Sequence, residues 1–308
     1  MSVADPILAG AIPSTPASSP SSLGQRILLR AARSTEFRIG VALFVLLLLA
    51  AVLYPELSGI DPTKMNVRAR LLPPIFMGDG WSWAHPLGTD QIGRDMLVRS
   101  LVGLRYSFLI GVASVAVTLF IGCSLGTIAG YVGGKADTII MRITDAQLSI
   151  PMIILAIAVL GVSRPTIPAI ILVLGLSNWP VYARVMRSVV MAERGREYVR
   201  AARVSGATNV RIVLTLLLPL LFPPVLFTSV LDVARMMIFE STLGFLGLGV
   251  QPPTPTFGNI IADGRKYLLN AWWIATMPGV FLCLTLTSIN LIGAVFERAR
   301  NAVHGGGT

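Results

Sequence analysis

The residue types that carry most enzyme chemistry are few and scattered in this sequence. It contains two histidines, His85 and His304, and two cysteines, Cys123 and Cys283. Both cysteines lie in apolar stretches without the close spacing of a zinc-binding set, so we predict that they are packing residues. The sequence therefore has too few histidines and cysteines for a metal centre or a His-centred catalytic set. We therefore predict neither an enzyme nor a bound cofactor.

Charged residues inside apolar stretches form a second set that could do chemistry. Arg142 and Asp145, and likewise Asp232 and Arg235, lie three residues apart, so each pair is predicted to neutralise itself on one helix face. Glu240 has no such neighbour nearby. No recognisable active-site motif accompanies these residues, which argues against an intramembrane enzyme. We interpret them as paired structural residues or as residues at the water boundary, and the sequence leaves open whether they have a functional role.

The composition indicates that the chain lies in a membrane. Hydrophobic residues make up 54% of the sequence and charged residues only 13%, far from the average of soluble proteins. The formal net charge is +10, but the basic residues lie beside apolar stretches and are not gathered into one arm. This placement favours interaction with membrane lipid and the positive-inside rule over binding to nucleic acid.

The predicted fold is an all-α integral membrane protein of about six transmembrane helices, with a short cytosolic helix between the fourth and the fifth. The predicted organisation is a disordered, basic cytoplasmic tail at 1–38, a first transmembrane helix at 39–55, an extracytoplasmic segment at 56–105, a core domain with five transmembrane helices at 106–297 and a cytoplasmic tail at 298–308. Both termini are expected in the cytoplasm. Counting crossings from an inside N-terminus places the arginine-rich stretch 184–211 inside as well.

Two helices of the core carry residues that predict their packing. The second, at about 106–130, has Gly111, Gly122 and Gly126, which would let a neighbouring helix approach closely. The third, at about 138–161, contains Pro151, which predicts a kink. The remaining core helices are predicted at about 166–185, 212–239 and 273–296.

The arginine-rich stretch contains a short segment with good helix formers, from Glu197 to Arg203, before Gly206. Ala201, Ala202 and Gly206 would give this helix a small-residue surface that another protein could approach. The alternative is a helical turn that rests on the membrane, with alanines present only for helix propensity.

A resemblance favours the docking surface. The cytoplasmic motif of ABC importer permeases is Glu-Ala-Ala, three residues, Gly, nine residues, Ile, one residue and Leu-Pro. This chain is similar to the motif at those spacings, through Arg200, Ala201, Ala202, Gly206, Leu216, Leu218 and Pro219. Arg200 replaces the family glutamate and Leu216 replaces the isoleucine. Because the first change reverses a charge, an ion pair of the family glutamate does not carry over.

More specifically, the chain resembles the C-type permease subunits of the dipeptide, oligopeptide and nickel importers over nearly everything after the tail. The similar blocks are HPLGTDQIGRD at 85–95, AGYVGG at 129–134, Met141-Arg142 with Asp145, the cytoplasmic motif, and ESTLGFLGLGVQPPTP at 240–255. The chain departs from the usual family ending, because NLIG at 290–293 continues without its two aspartates.

The resemblance implies a bacterial inner-membrane importer assembled from several chains. The implied partners are a B-type permease in a heterodimer, two cytosolic ATPases and an extracytoplasmic substrate-binding protein. The segment from Glu197 to Gly206, together with Leu216, Leu218 and Pro219, would couple this chain to the ATPases. The sequence has no phosphate-binding loop of the Gly-x4-Gly-Lys-Ser/Thr type, so ATP would be used by the partners.

The transported solute is not specified by these motifs. Di- or oligopeptides are the first expectation, and glutathione, nickel chelates, opine-like compounds and oligosaccharides are alternatives within the family. An ion-coupled carrier or a channel is the alternative from another class.

The stretch 244–258 is too rich in glycine and proline for a regular helix. In the family that the chain resembles, this stretch dips near the outer mouth of the pore. Gln251, Pro252 and Pro253 are therefore candidates for contact with the binding protein, and a rigid re-entrant turn is the alternative.

Overall fold

A computed structural model describes residues 31–77, 80–162 and 165–304. Side chains are described for these residues except 220–224, 227 and 300–304. Residues 1–30 of the predicted N-terminal tail and residues 305–308 of the predicted C-terminal tail lie outside the described residues. The described residues contain no β-strand, and one isolated bridge joins Thr89 to Asp95.

The described residues form α-helices joined mostly by short turns. They are α1 (Thr35–Ser58), α2 (Met96–Val132), α3 (Gly134–Leu148), α4 (Met152–Leu160), α5 (Ile167–Glu193), α6 (Glu197–Val204), α7 (Asn209–Arg211), α8 (Leu218–Phe245), α9 (Phe257–Gly264) and α10 (Trp273–His304). A π-helical turn, Ile212–Leu217, joins α7 to α8, and 3-10 turns occur at Val67–Ala69 and Arg265–Tyr267.

The lengths and composition of these helices confirm an all-α membrane protein. Among the described residues, helices α1, α2, α5 and α10 are long and apolar enough to cross a membrane. The pair α3 and α4 provides a fifth crossing if it is counted as one broken span. Helix α8 has 28 residues and occupies the place of the predicted fifth span, with a length of about 42 Å at about 1.5 Å per residue.

Two helices differ from the predictions in ways that change the arrangement of the chain. The third helix is not a kinked rod, because α3 and α4 are bent by 84° relative to each other at residues 149–151. Pro151 is the N-cap of α4, and a proline disfavours helical geometry in the residue before it. Helix α2 begins at Met96, ten residues before the predicted start, because Asp95 caps it by accepting a hydrogen bond from the Val98 N–H at 2.8 Å.

The predicted close approach of helices at glycines is confirmed. A Cβ atom built on Gly122 would lie 2.6 Å from the Tyr182 Cβ of α5, and one on Gly126 would lie 2.4 Å from the Ala183 carbonyl oxygen. Gly111 makes the corresponding contact with α8, where a Cβ would lie 3.0 Å from the Met237 side chain. These glycines fix α2 against both α5 and α8.

A network of charges, buried except for the partly exposed Asp263, ties the segment between α1 and α2 to α9. Arg94 donates to Asp90 at 2.5 Å and to Asp263 of α9 at 3.2 Å. Arg99 lies 3.6 Å from Asp90 and donates to Asp263 at 3.4 Å. Most of the charged residues of the block at 85–95 therefore have an internal structural role, since their charges compensate one another inside the protein.

Candidate functional site

Helix α6 lies against the end of the bundle formed by α2, α5 and α8. Val199 is fully buried, and Ala202 is half-buried in the same apolar cluster, which includes Ile212 and Leu217. Glu197 lies in the first turn of α6 and Arg203 in the last turn, the favourable arrangement for the helix dipole. The predicted helix at 197–206 is thus confirmed, with Val204 as its last residue.

The outward side of α6 carries a different set of residues. Arg200 and Ala201 are exposed, and Val204 is 91% exposed. Ala202 and Gly206 do not form one free surface in this chain, because Ala202 packs against its own core. The small-residue surface that remains accessible therefore centres on Ala201, beside the apolar Val204.

Gly206 ends α6 in the left-handed conformation, with φ of +83°. Its N–H donates to the Arg203 carbonyl, and the Ala207 N–H donates to the Ala202 carbonyl, both at 3.0 Å. This is the Schellman arrangement that closes a helix. No atom lies within 4 Å of a Cβ built on Gly206. Within this chain, glycine is therefore favoured by backbone conformation and not by close packing.

Hydrogen bonds attach the α6 region to the end of α2. Arg194 donates to the carbonyl oxygens of Gly130 at 2.8 Å and Tyr131 at 3.2 Å. The Arg203 guanidinium lies 5.5 Å from the centre of the Tyr131 ring, and the Tyr131 hydroxyl donates to Asn209 at 2.9 Å. Sequence reasoning did not assign Arg194 or Tyr131 to the site. Tyr131 lies in the block at 129–134, and the resemblance of that block to the permease family was the signal that could have identified this residue.

The remaining motif residues lie where the chain re-enters the bundle. Leu216 and Leu218 pack against the same apolar cluster as Val199. Pro219 lies in the first turn of α8, directly after the π-helical turn Ile212–Leu217. Proline cannot donate a backbone hydrogen bond to the preceding turn, which suits this position. Leu216 and Leu218 therefore anchor the region, whereas Pro219 is exposed.

Tyr198 adds one more contact within this region. Its hydroxyl donates to the Glu193 carboxylate at 2.9 Å, across the turn between α5 and α6. Partial burial, together with this hydrogen bond, raises the pKa of Tyr198. The tyrosine is therefore a neutral donor at physiological pH, and it holds the start of α6 to the end of α5.

The predicted irregular stretch at 244–258 is confirmed between α8 and α9, where residues 246–256 form a loop. Gln251, Pro252 and Pro253 are exposed at its tip, and the Gln251 amide donates to the Gly249 carbonyl at 3.0 Å. Asn259, which sequence reasoning missed, fixes the loop. Its amide donates to the carbonyls of Val250 at 3.0 Å and Thr254 at 2.8 Å.

Two ion pairs were predicted within helices, and the structure contains one of them. Arg235 donates to Asp232 at 2.7 Å, which confirms that pair. The predicted pairing of Arg142 with Asp145 is wrong, because Asp145 accepts instead from Arg184 of α5 at 2.6 Å. The long Arg184 side chain reaches across the packed α3–α5 contact, which sequence spacing does not reveal.

Glu240 of α8 is fully buried and has polar neighbours in place of a cation. Its Oε2 accepts a hydrogen bond from the Ser107 hydroxyl of α2 at 2.8 Å. No ion pair of Glu240 is present among the described side chains. Ser107 also accepts from the Phe257 N–H at 3.3 Å, so this group joins α8, α2 and the start of α9.

Residues 122–301 match the family described as the binding-protein-dependent transport system inner membrane component. The chain belongs to this family. It is therefore a multi-pass membrane protein and a permease of a binding-protein-dependent importer, not an enzyme.

Proteins of similar sequence are named as permeases of di- or tripeptide transport systems. The chain is 36% identical to the di/tripeptide transport system permease protein DppC of Pseudomonas aeruginosa, over 83% of this chain and 84% of that protein. It is 38% identical to the probable D,D-dipeptide transport system permease protein DdpC of Escherichia coli, over 82% of each. The covered shares show that the similarity extends well beyond the motif at 200–219.

A solved structure of related fold comes from an inward-facing MetNI methionine ABC transporter. The match has a TM-score of 0.52 at 22% identity, and it covers 68% of this chain and 96% of the MetNI chain. At this identity the likeness concerns the fold alone. Nearly the whole of the MetNI chain is matched, so the two chains share the helical arrangement over most of its length.

Proposed function

We propose that this permease forms half of the pore of an ATP-driven importer of di- or oligopeptides and that α6 couples it to cytosolic ATPases. The exposed side of α6 is the observation that carries the coupling role. Val204 is 91% exposed beside Ala201 and Arg200, while the opposite side of the helix is fixed to the bundle. A solvent-exposed apolar side chain on a rigidly attached helix is well suited to a groove on another protein.

The proposed assembly contains a B-type permease, two cytosolic ATPases and an extracytoplasmic binding protein. The stretch 184–211, with seven arginines and two glutamates, supports a cytoplasmic position for α6 and for both termini. The proposed location is the cytoplasmic membrane of a bacterium, and the partner subunits are proposed to use the ATP.

The attachment of α6 suggests how movement of the ATPases reaches the pore. Arg203 of α6 lies over the Tyr131 ring at the end of α2, and Arg194 at the end of α5 binds carbonyl groups there. Helix α2 in turn packs tightly on α5 through Gly122 and Gly126. A displacement of α6 would therefore move α2 and α5 together, because close-packed helices transmit strain.

The substrate class and the outer contact are supported by different observations. The relatives that are named as dipeptide permeases support peptides as the solute. Gln251, Pro252 and Pro253 are proposed to meet the binding protein, since they are exposed on a loop that Asn259 holds in place.

Replacement of Val204 with Arg tests the coupling role. A charged side chain forced into an apolar groove costs several kcal/mol unless it is paired. We expect co-purification of the ATPases and coupled peptide transport to fall by about tenfold or more, whereas insertion and pairing with the sister permease persist.

The matched control is Val162→Arg, since Val162 is 92% exposed and lies in the turn after α4. This variant should retain the ATPases. If Val204→Arg also retains them and transports normally, α6 does not couple the permease to the motor, and the membrane-resting interpretation replaces the proposal.

A further inference from the structure

The ion pair of Asp232 and Arg235 lies near the middle of α8, the helix that occupies the place of the predicted fifth span. Asp232 is about 21 Å along α8 from Leu218 and about 20 Å from Phe245, at about 1.5 Å per residue. Its second oxygen accepts a hydrogen bond from the hydroxyl of Tyr182, which lies near the middle of α5. Ionisable groups within a membrane span are costly in lipid and usually face the protein interior or a water-filled cavity.

The two charges differ in their exposure. The Asp232 side chain is 7% exposed, whereas the Arg235 side chain is 57% exposed. Ile238, one helical turn further along α8, is exposed on the same face. Asp232 is thus held inside by Tyr182, and it orients a guanidinium that projects from the surface of this chain.

A further polar contact lies one helical turn from Tyr182 on α5. The Trp179 ring N–H donates to Gln147 of α3 at 2.8 Å. The bend between α3 and α4 follows Gln147 directly and exposes residues 149–151. Irregular backbone at membrane depth persists where it is covered by protein or lines a water-filled cavity.

We propose that Arg235 lines the translocation pathway and binds the carboxylate of the passing solute. The chemical class is a small solute with a free carboxylate, such as the C-terminal group of a peptide. This inference rests on the proposed importer function. It goes further by assigning a solute contact to a residue of the permease itself.

The pair with Asp232 suits a transient contact. Asp232 uses one donor of the guanidinium and compensates its charge, so the cation stays in place when no solute is present. The remaining donors form the planar fork that matches a carboxylate. Competition from Asp232 keeps the contact weak, and a transport pathway requires binding that also permits release.

Accessibility tests the location of Arg235 independently of the solute. In a variant without Cys123 and Cys283, Arg235→Cys should react with an anionic, membrane-impermeant methanethiosulfonate in the complete importer. Leu46→Cys is the control, because Leu46 is 64% exposed on the weakly covered helix α1 and is expected to face lipid. A lack of reaction at position 235, in resting and in ATP-driven importer, overturns the proposal.

Transport tests the carboxylate contact. The complete importer in proteoliposomes is supplied with dialanine, and import is measured for Arg235→Gln and Arg235→Lys. We expect Arg235→Gln to lower import by about tenfold or more, as for loss of a charge-assisted hydrogen bond, and Arg235→Lys to retain part of it. Arg38→Gln, which removes an exposed cation at the start of α1, should import normally.

The outcomes separate this inference from the proposed function. Normal import by Arg235→Gln overturns the carboxylate contact. Loss of the sister permease from purified Arg235→Gln overturns it as well and assigns the residue to the interface between permeases. If the unsubstituted importer moves no dipeptide, the proposed substrate class is wrong, and the labelling result still decides whether Arg235 lines the pathway.

Discussion

At the scale of single residues, a glycine in a motif can be required by its backbone conformation or by close packing, and Gly206 distinguishes the two. Its φ of +83° disfavours any L side chain, and no atom of this chain would meet its Cβ. A bulky substitution would therefore strain the end of α6 as well as obstruct a partner. Substitution of Val204 tests docking more directly, because the Val204 backbone is helical and a new side chain there does not strain the end of α6.

Asp90 carries a prediction about stability at this scale. Asp90→Asn removes the negative charge that compensates Arg94 and Arg99 inside the protein. Breaking a buried pair in this way typically costs about 3–5 kcal/mol. We expect a clearly lower midpoint of thermal unfolding for the purified permease, measured by the loss of its monodisperse chromatographic peak.

Asp61→Asn provides the control for Asp90→Asn. Asp61 lies in the same segment but is exposed, and the hydrogen bond from the Thr63 hydroxyl lowers the pKa of Asp61. Its substitution should leave the unfolding midpoint close to that of the unsubstituted protein. Equal midpoints for both variants would show that the charge network does not hold the segment to α9.

At the scale of elements, the contact between α2 and α5 organises the membrane core. Gly122, Gly126 and Gly130 recur every fourth residue along one face of α2, and each lies directly against the α5 backbone or a Cβ atom. In a membrane the packing of small residues drives helix association, because lipid is as apolar as leucine. Helix α5 also bonds to other helices, through Tyr182 to Asp232 of α8 and through Arg184 to Asp145 of α3.

Gly126→Leu should separate these two helices. A Cβ at this position would lie 2.4 Å from the Ala183 carbonyl oxygen and 2.8 Å from the Met186 Cβ. Overpacking of this kind typically costs about 1–3 kcal/mol, and backbone contacts cannot move aside. We expect a lower thermal midpoint in detergent and a loss of transport.

The matched control is Gly279→Leu in α10, where no atom lies within 4 Å of the added Cβ. It should be expressed and transport as the unsubstituted protein does. A Gly126→Leu variant that is equally stable would contradict the role assigned to the glycine face of α2.

At the scale of the whole molecule, the proposed topology sets where each surface acts. Arg196 at the start of α6 should face the cytoplasm, and Gln251 in the loop before α9 should face outward. Cysteine introduced at each position, in a background without Cys123 and Cys283, can be labelled with an impermeant maleimide. In intact cells we expect labelling at 251 only.

Permeabilised cells are the control for that experiment, since both positions should then react. Labelling of position 196 from outside intact cells would invert the proposed orientation. It would also remove α6 from the compartment that contains ATP.

The sequence by itself determined the class of the protein and the local elements. Long apolar runs predicted a helical membrane protein, and the residues from Glu197 to Gly206 predicted a short helix with its glycine cap. Gly111, Gly122 and Gly126 predicted close contacts, although not the helices that make them. These features depend on residues near one another in the chain, whose helix propensity, apolar length and backbone freedom are local properties.

Only the tertiary structure decided which residues meet across helices. It paired Asp145 with Arg184, brought Tyr182 to Asp232, joined Asp263 to the arginines near α2, and turned Ala202 inward while leaving Val204 exposed. It also gave Asn259 its role in the loop and bent α3 away from α4. Such contacts depend on the rotation and depth of whole helices, which are set by packing between segments far apart in the sequence and have no signature in the spacing of one segment.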